Sequence, residues 1–231
     1  MNILLIETAT SVCSVALVNE QQTMQEIHSE EPNAHSAKLN LFIRDILQSA
    51  GIAARQLDAI CVSSGPGSYT GLRIGVSSAK GLCYATNIPL LAVPTLQNMA
   101  AWYYHQHPDY TGMVCPMIDA RRMECYTAIF DSNLQQSKPT VAEVVTEGLY
   151  DQWLNQGPVT FIGDGAAKTR NILGVHCNAC YDVDFRISAE GMSQAAINKL
   201  RNDKKEDVAY FEPFYLKDFV AKKSVVHGLR E

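Results

Sequence analysis

The sequence predicts an α/β protein of two units, each a mixed sheet with helical cover. Three observations carry this. Apolar runs of period two and runs of helical period follow one another as β-β-β-α-β-α-β-α up to Tyr103. A glycine-rich turn from Ser64 to Gly75 joins a strand to a helix. A second series of strand, acidic turn and strand opens at Met113, which suggests an internal duplication.

Each element has its own warrant. Residues 3–18 read as a hairpin: Ile3 to Ile6, a turn at Thr8-Ala9-Thr10-Ser11, then Cys13 to Val18. A third strand covers Thr23 to His28. From Ala34 to Ala50 the period becomes helical, with His35, Leu39, Phe42, Ile43, Ile46 and Ala50 on one stripe. Gly51 stops that helix. Leu57 to Val62 is a strand, and helix 71–85 follows the glycine turn. Pro89 to Val93 is a short strand, and Pro94-Thr95 opens a helix through Tyr103. In the second series the strands are 113–118, 123–130, 141–145 and 158–162, with a turn at Asp119 to Arg122 and a helix near 147–155. The Tyr-, His- and Pro-rich stretch 100–112 separates the units, which divides the chain into 1–105, 106–218 and a charged tail, 219–231, expected to be disordered or partner-dependent.

With 231 residues, 47% hydrophobic and 19% charged, the chain can bury a substantial core. A net charge of −5 argues against a broad basic surface for nucleic acid. No apolar run is long enough to cross a membrane, and Met1 to Glu7 lacks the basic start of a signal peptide. Seven scattered cysteines, an odd number, point to a reducing, cytoplasmic setting.

The glycine turn admits two readings. Gly65 and Gly67 permit close approach, Ser68 lies between them and the helix, and Thr70 caps it, so backbone N–H groups could cradle a phosphate. Equally, it is a tight strand-to-helix turn. The Gly-x-x-x-x-Gly-Lys-Ser/Thr pattern of a phosphate-binding loop is absent. On a helical wheel, Arg73, Ser77, Lys80 and Tyr84 form a narrow polar arc. Gly71, Leu72, Gly75, Val76, Ala79, Leu82 and Cys83 fill one flank, and Ile74, Ser78, Gly81 and Ala85 the other. Glycine inside a helix costs up to about 1 kcal/mol against alanine, so Gly71 and Gly75 imply close packing by another helix or another chain.

His35 would need a second histidine one turn on to bind zinc, and that position is Leu39. Cys177-Asn178-Ala179-Cys180 is a lone Cys-x-x-Cys, better read as a structural loop. Glu7 and Asp119 each end the first strand of a unit, where a phosphoryl-transfer enzyme holds Mg²⁺ or activates a nucleophile; otherwise they cap turns. Gly163-Asp164-Gly165 either lies against an adenine or is a plain turn before a helix.

Together these segments resemble the TsaB (YeaZ) family. The resemblance is carried by Ile6 to Thr10, Gly65 to Gly75, Asp119-Ala120-Arg121-Arg122-Met123-Glu124-Cys125-Tyr126, Gly163 to Ala166 and Pro213-Phe214-Tyr215-Leu216. It implies an actin-like (ASKHA, ribonuclease H-like) fold of two duplicated mixed-sheet lobes. It implies a non-catalytic subunit in the synthesis of N6-threonylcarbamoyladenosine at tRNA position 37, holding and activating a TsaD-type transferase. A TsaE-type ATPase joins through the complex, and tRNA is engaged indirectly. No cofactor or metal is expected on the isolated subunit; ATP or ADP with Mg²⁺ belongs to the assembled complex.

The resemblance also implies that helices 35–50 and 71–85 form the surface for self-association or for TsaD. The candidate contact residues are His35, Leu39, Phe42 and Ile43 on the first helix, and Thr70, Gly71, Leu72, Ile74, Gly75, Ser78, Ala79 and Leu82 on the second. Glu7, Thr8, Gly65, Gly67, Ser68, Asp119, Gly163, Asp164 and Gly165 are the positions set near any nucleotide. The small-residue flank leads to the expectation that Gly75→Leu breaks association and leaves the monomer folded. The rival readings are an actin-like ATPase or small-molecule kinase and a metallopeptidase-like protein, the latter disfavoured by Leu39.

Overall fold

A computed structural model describes residues 1–20, 22–173 and 176–217. The charged tail lies outside the described residues. The first sheet is built from β1 (Asn2–Glu7), β2 (Cys13–Asn19), β3 (Thr23–Ser29), β4 (Ala59–Ser63) and β5 (Leu90–Val93), in the order β3-β2-β1-β4-β5. The second contains β6 (Met113–Asp119), β7 (Glu124–Phe130), β8 (Gln136–Val144), β9 (Val159–Ile162) and β10 (Ala179–Asp182), in the order β8-β7-β6-β9-β10. In both, the first three strands are antiparallel and the last two run parallel to the first. Identical order and sense in two sheets make this a duplicated, two-lobed actin-like fold.

The helices are α1 (Ala34–Ser49), α2 (Tyr69–Thr86), α3 (Thr95–Gln106), α4 (Asp151–Leu154), α5 (Asp164–Thr169) and α6 (Ser193–Arg201). Gly51 ends α1 as expected. At φ +65° its N–H reaches Gln48 O while Ile52 N–H reaches Leu47 O, the paired bonds of a left-handed helix stop. The cap of α2 is Ser68 rather than Thr70: the Ser68 hydroxyl accepts from Gly71 N at 3.2 Å, and Thr70 is exposed two residues further in. The helix expected near 147–155 shortens to the single turn of α4, because Gly148 at φ +73° makes a turn just before it.

Alternation along each strand sorts the core into faces. Leu4, Ile6, Val15, Ile60, Val62 and Leu90 meet α1 and α2. Ile3, Leu5, Val18, Cys61, Leu91 and Val93 point the other way and meet Ala189, Met192, Ala196 and Ile197, from the turn Ala189–Met192 and α6. The division of the chain at residue 105 is therefore crossed twice. Helix α6, in the second stretch of sequence, covers the first sheet. Helix α3, in the first stretch, lays Leu96, Met99, Ala100 and Tyr103 on Val114, Ile118, Ala128 and Phe130 of the second. A helix that buries its apolar stripe on a distant sheet cannot be assigned to a lobe by sequence position. After α6 the chain runs as a strap, 206–217. Glu206 N bonds Leu90 O, Phe214 N bonds Ser64 O, and Lys217 pairs with Glu124 on β7.

Exchange of α3 and α6 makes the lobes interdependent. A fragment of residues 1–105 leaves one face of the first sheet bare and α3 without its partner sheet. It is expected to lack dispersed amide resonances and a cooperative thermal transition; a folded, two-state fragment would disprove the dependence.

Candidate functional site

Two of the signature segments, Ile6 to Thr10 and Gly65 to Gly75, meet at residues 7–9, where β1 runs into its turn. Glu7 is fully buried. Its Oε1 accepts from Ala9 N at 2.7 Å and Ser63 Oγ at 2.9 Å, and its Oε2 accepts from Asn98 Nδ2 at 2.7 Å. These donors belong to the turn itself, the end of β4 and helix α3. Burial raises the carboxyl from 4.5 to about 7, against the opposing pull of the donors. Glu7 is thus a structural junction enclosed by protein, not an acid on an open cleft.

The glycine turn is closed by the chain's own atoms. Ser68 N donates to Ala9 O at 2.7 Å, and a Cβ on Gly67 would collide with that carbonyl. Gly65 N donates to Thr95 Oγ1 at 3.1 Å, and its carbonyl accepts from Thr95 N at 3.0 Å. A Cβ on Gly65 would lie 2.6 Å from Phe214 O of the strap. The Gly65–Pro66 peptide is cis. Three backbone donors of the turn, Gly65 N, Ser68 N and Gly71 N, are therefore already spent.

The small residues of α2 also face inward. A Cβ on Gly71 would strike Thr8 O, and one on Gly75 would strike Thr8 Oγ1, a buried hydroxyl without a partner among the described residues. The close approach inferred from Gly71 and Gly75 is real, but the approaching group is Thr8 of the same lobe, not another helix or another chain. The expectation that Gly75→Leu leaves the monomer folded is corrected accordingly.

The other expected contact residues divide by exposure. Leu39, Ile43, Leu72 and Ala79 belong to the core with Gly71 and Gly75. His35, Phe42, Ile74, Ser78 and Leu82 are half-buried, and Thr70 is exposed. His35 Nε2 lies 3.2 Å from Val12 O, a hydrogen-bonded histidine rather than a ligand. Beside them Leu41 and Tyr84 stand out, at 45% and 87% exposed. Phe42, Ile74 and Leu82 thus give α1 and α2 a half-buried apolar side, and Tyr84 stands at the edge of the neighbouring polar arc. The polar arc, by contrast, is partly roofed. Lys80 Nζ donates to Ala209 O and Phe211 O at 3.1 and 2.9 Å, and Tyr69 packs on Tyr215 with ring centroids 4.8 Å apart. The wheel left this covering strap undetected; the cluster Pro213-Phe214-Tyr215-Leu216 was its only trace in the sequence.

In the second lobe, Asp119 is exposed. Its Oδ1 accepts from Lys168 Nζ at 2.5 Å and Arg121 N at 2.7 Å, and its N–H bonds Asp164 Oδ1 at 2.9 Å. Gly163, at φ +95°, and Gly165 make room for β6: added Cβ atoms would lie 2.5 Å from Met117 O and 2.9 Å from Met117 Cβ. The segment is a turn into α5. Cys177 and Cys180 are free and exposed at the start of β10. Among the described residues no three His, Cys, Asp or Glu side chains are grouped to hold a metal, and no helix is long and apolar enough to cross a membrane.

Comparison with known proteins bears out the family resemblance. Residues 17–225 match the family model of TsaD, tRNA N6-adenosine threonylcarbamoyltransferase. The tRNA threonylcarbamoyladenosine biosynthesis protein TsaB of Escherichia coli K12 is 30% identical, over 97% of this chain and 98% of its own. The chain belongs to the TsaB (YeaZ) family. TsaB of Bacillus subtilis 168 is 32% identical over 75% of each chain. The structure of YeaZ from Pseudomonas aeruginosa superposes with a TM-score of 0.82 at 26% identity, covering 93% of this chain and 99% of that one.

Two measurements test the junction. Gly75→Ala is expected to lose about 1–3 kcal/mol through overpacking, although alanine is ordinarily the better helix former. Adding Thr8→Ala should recover most of that loss. Gly71→Ala should not be rescued, since its obstacle is the Thr8 carbonyl. Equal rescue of both glycine variants would refute the assignment.

The second measurement concerns pH. Glu7 loses its proton near 4.5 when unfolded and near 7 when folded. Its stabilising contribution is complete below pH 4.5 and is lost as pH rises through 7. The stability of the natural chain relative to Glu7→Gln should therefore fall by about 3 kcal/mol across that window. Urea melts of both proteins at stepped pH check it; parallel curves would sink it.

Proposed function

We propose that this chain is a non-catalytic scaffold and activator subunit in the synthesis of tRNA N6-threonylcarbamoyladenosine, acting by docking on a TsaD-type transferase. One observation carries the reading: the turn that would hold phosphate in an actin-like enzyme is packed with the chain's own backbone. Ala9 O and Phe214 O stand where Gly67 and Gly65 would carry side chains, and Glu7 is sealed among Ser63, Asn98 and Ala9. The match to a transferase family model supports descent from the same ancestor as that enzyme.

In this reading the partner seats on the outward side of α1 and α2. Phe42, Ile74, Ser78, Leu82, Leu41 and Tyr84 make the contact, over a rigid base of Leu39, Ile43, Leu72 and Ala79. Alone, the chain pairs with a second copy through the same side, so homodimer and heterodimer exclude one another. A TsaE-type ATPase and tRNA meet the assembly rather than this subunit, and adenine nucleotide with Mg²⁺ binds at the joint surface.

Ser78→Arg and Tyr84→Asp are expected to cut capture of a TsaD-type partner at least about tenfold, at a cost of under 1 kcal/mol to the folded monomer. Copurification and tRNA modification assays provide the readout. Undiminished capture by both variants would move the interface elsewhere. Tight binding and turnover of Mg-ATP by the isolated chain would replace the scaffold reading with that of a kinase or ATPase.

A further inference from the structure

A cleft of about 200 Å³ opens beside the glycine turn, between the two lobes. Pro66 of the turn and Phe130 at the end of β7 are buried in its floor. Pro94 and Gln97, at the start of α3, form one wall. Gln136 and Thr140 of β8 form another, and Phe214 of the strap stands at the rim, 49% exposed. Both lobes and the strap contribute, so the cleft exists only in the assembled chain.

Its chemistry is selective. No Asp, Glu, Lys, Arg or His lines it. A charged ligand group would shed its water there and gain no counter-charge. Two phenylalanine rings offer flat apolar faces suited to a planar ring, and two proline rings extend the apolar lining. The Gln97 amide has no hydrogen-bond partner among the described residues, so its donor and acceptor are both available. Gln136 Nε2 is held by Thr140 Oγ1 at 3.0 Å, which fixes that side chain. An amide presenting donor and acceptor side by side pairs with an edge that does the same, and adenine has such an edge in N6 and N7. The volume falls below the about 300–1,000 Å³ of sites that enclose drug-sized ligands, so it suits one ring system rather than a whole nucleotide.

We propose that this cleft binds an adenine base, stacked on its ring walls and read by the Gln97 amide, with ribose and phosphate left outside. The base belongs either to a free nucleoside or to an unpaired position of an RNA. The proposal goes beyond the scaffold role and stands or falls independently of it, since it concerns the isolated chain.

The test is titration of the ¹⁵N-labelled full chain with adenosine, AMP, ATP and a short single-stranded RNA carrying one adenine among uridines, following the Gln97 side-chain amide and the backbone amides of Gly65, Gln136 and Thr140. Saturable shifts are expected, with adenosine and AMP binding within about twofold of each other and ATP no tighter. Gln97→Leu should weaken binding about tenfold. Phe214→Ala should weaken it too, with the remaining amide spectrum unchanged in both variants. Tighter binding of the RNA than of adenosine identifies an RNA-borne base, and equal or weaker binding identifies the free nucleoside; both support the site. No saturable shift at about 5 mM adenosine, affinity rising with each added phosphate, or binding unaltered by both variants would overturn it.

Discussion

Three consecutive residues set the geometry of the whole first lobe. Glu7 joins β1 to β4 and α3 through its carboxylate, Thr8 fills the space left by Gly71 and Gly75, and Ala9 O receives Ser68 N beside Gly67. The groups that α2 and its turn meet have little room to move: two backbone carbonyls, Thr8 O and Ala9 O, the buried Thr8 hydroxyl, and a carboxyl fixed by three donors. A side chain larger than hydrogen on the facing helix would push α2 off the sheet, and a large shift of α2 would carry the glycine turn with it. The turn, the helix and the lobe junction therefore behave as one rigid body, a suitable base for a docking surface and a poor one for a phosphate that must enter and leave.

Burial of a carboxyl at this junction has a cost that the donors offset only in part. The charge is held in a place that disfavours it, and the hydroxyl of Thr8 and carbonyl oxygen of Asn98, both without partners among the described residues, lie in the same buried region. Buried polar groups of this kind specify one arrangement more than they stabilise it. In the second lobe the corresponding strand end carries exposed Asp119, paired with Lys168 in water. Duplicated topology thus hosts two different solutions at equivalent positions. Only the second leaves a carboxylate accessible.

Much of the fold was legible in the sequence because it rests on short-range periodicity. The hairpin over residues 3–18, helix α1 with its Gly51 stop, and the repeated strand series are local patterns. The site was legible in composition but not in meaning. Gly71 and Gly75 announce a close approach, yet a glycine does not say what approaches it. The stripe through Leu39 and Ile43 looks the same whether it faces its own sheet or another protein, and here those two residues face the sheet. Lys80 looks like a solvated cation on a helical wheel, whereas it anchors the strap through two carbonyls. Helix α6 escaped notice because its apolar stripe is short, Ala196 and Ile197 with the preceding Met192, and its sheet lies far back in the chain.

The return of α6 and the strap to the first lobe bears on how the protein is made. Strands β1 to β5 leave the ribosome early, but one face of their sheet stays bare until residues 189–197 have been synthesised. The Lys80 anchor waits longer still, for Ala209 and Phe211. Nascent chains carry exposed apolar surface through that interval, when aggregation competes with folding. The early half must therefore be sheltered or stay loosely collapsed throughout translation. The anchored form of α2 therefore exists only once the chain has been made as far as Phe211, more than a hundred residues after the helix itself.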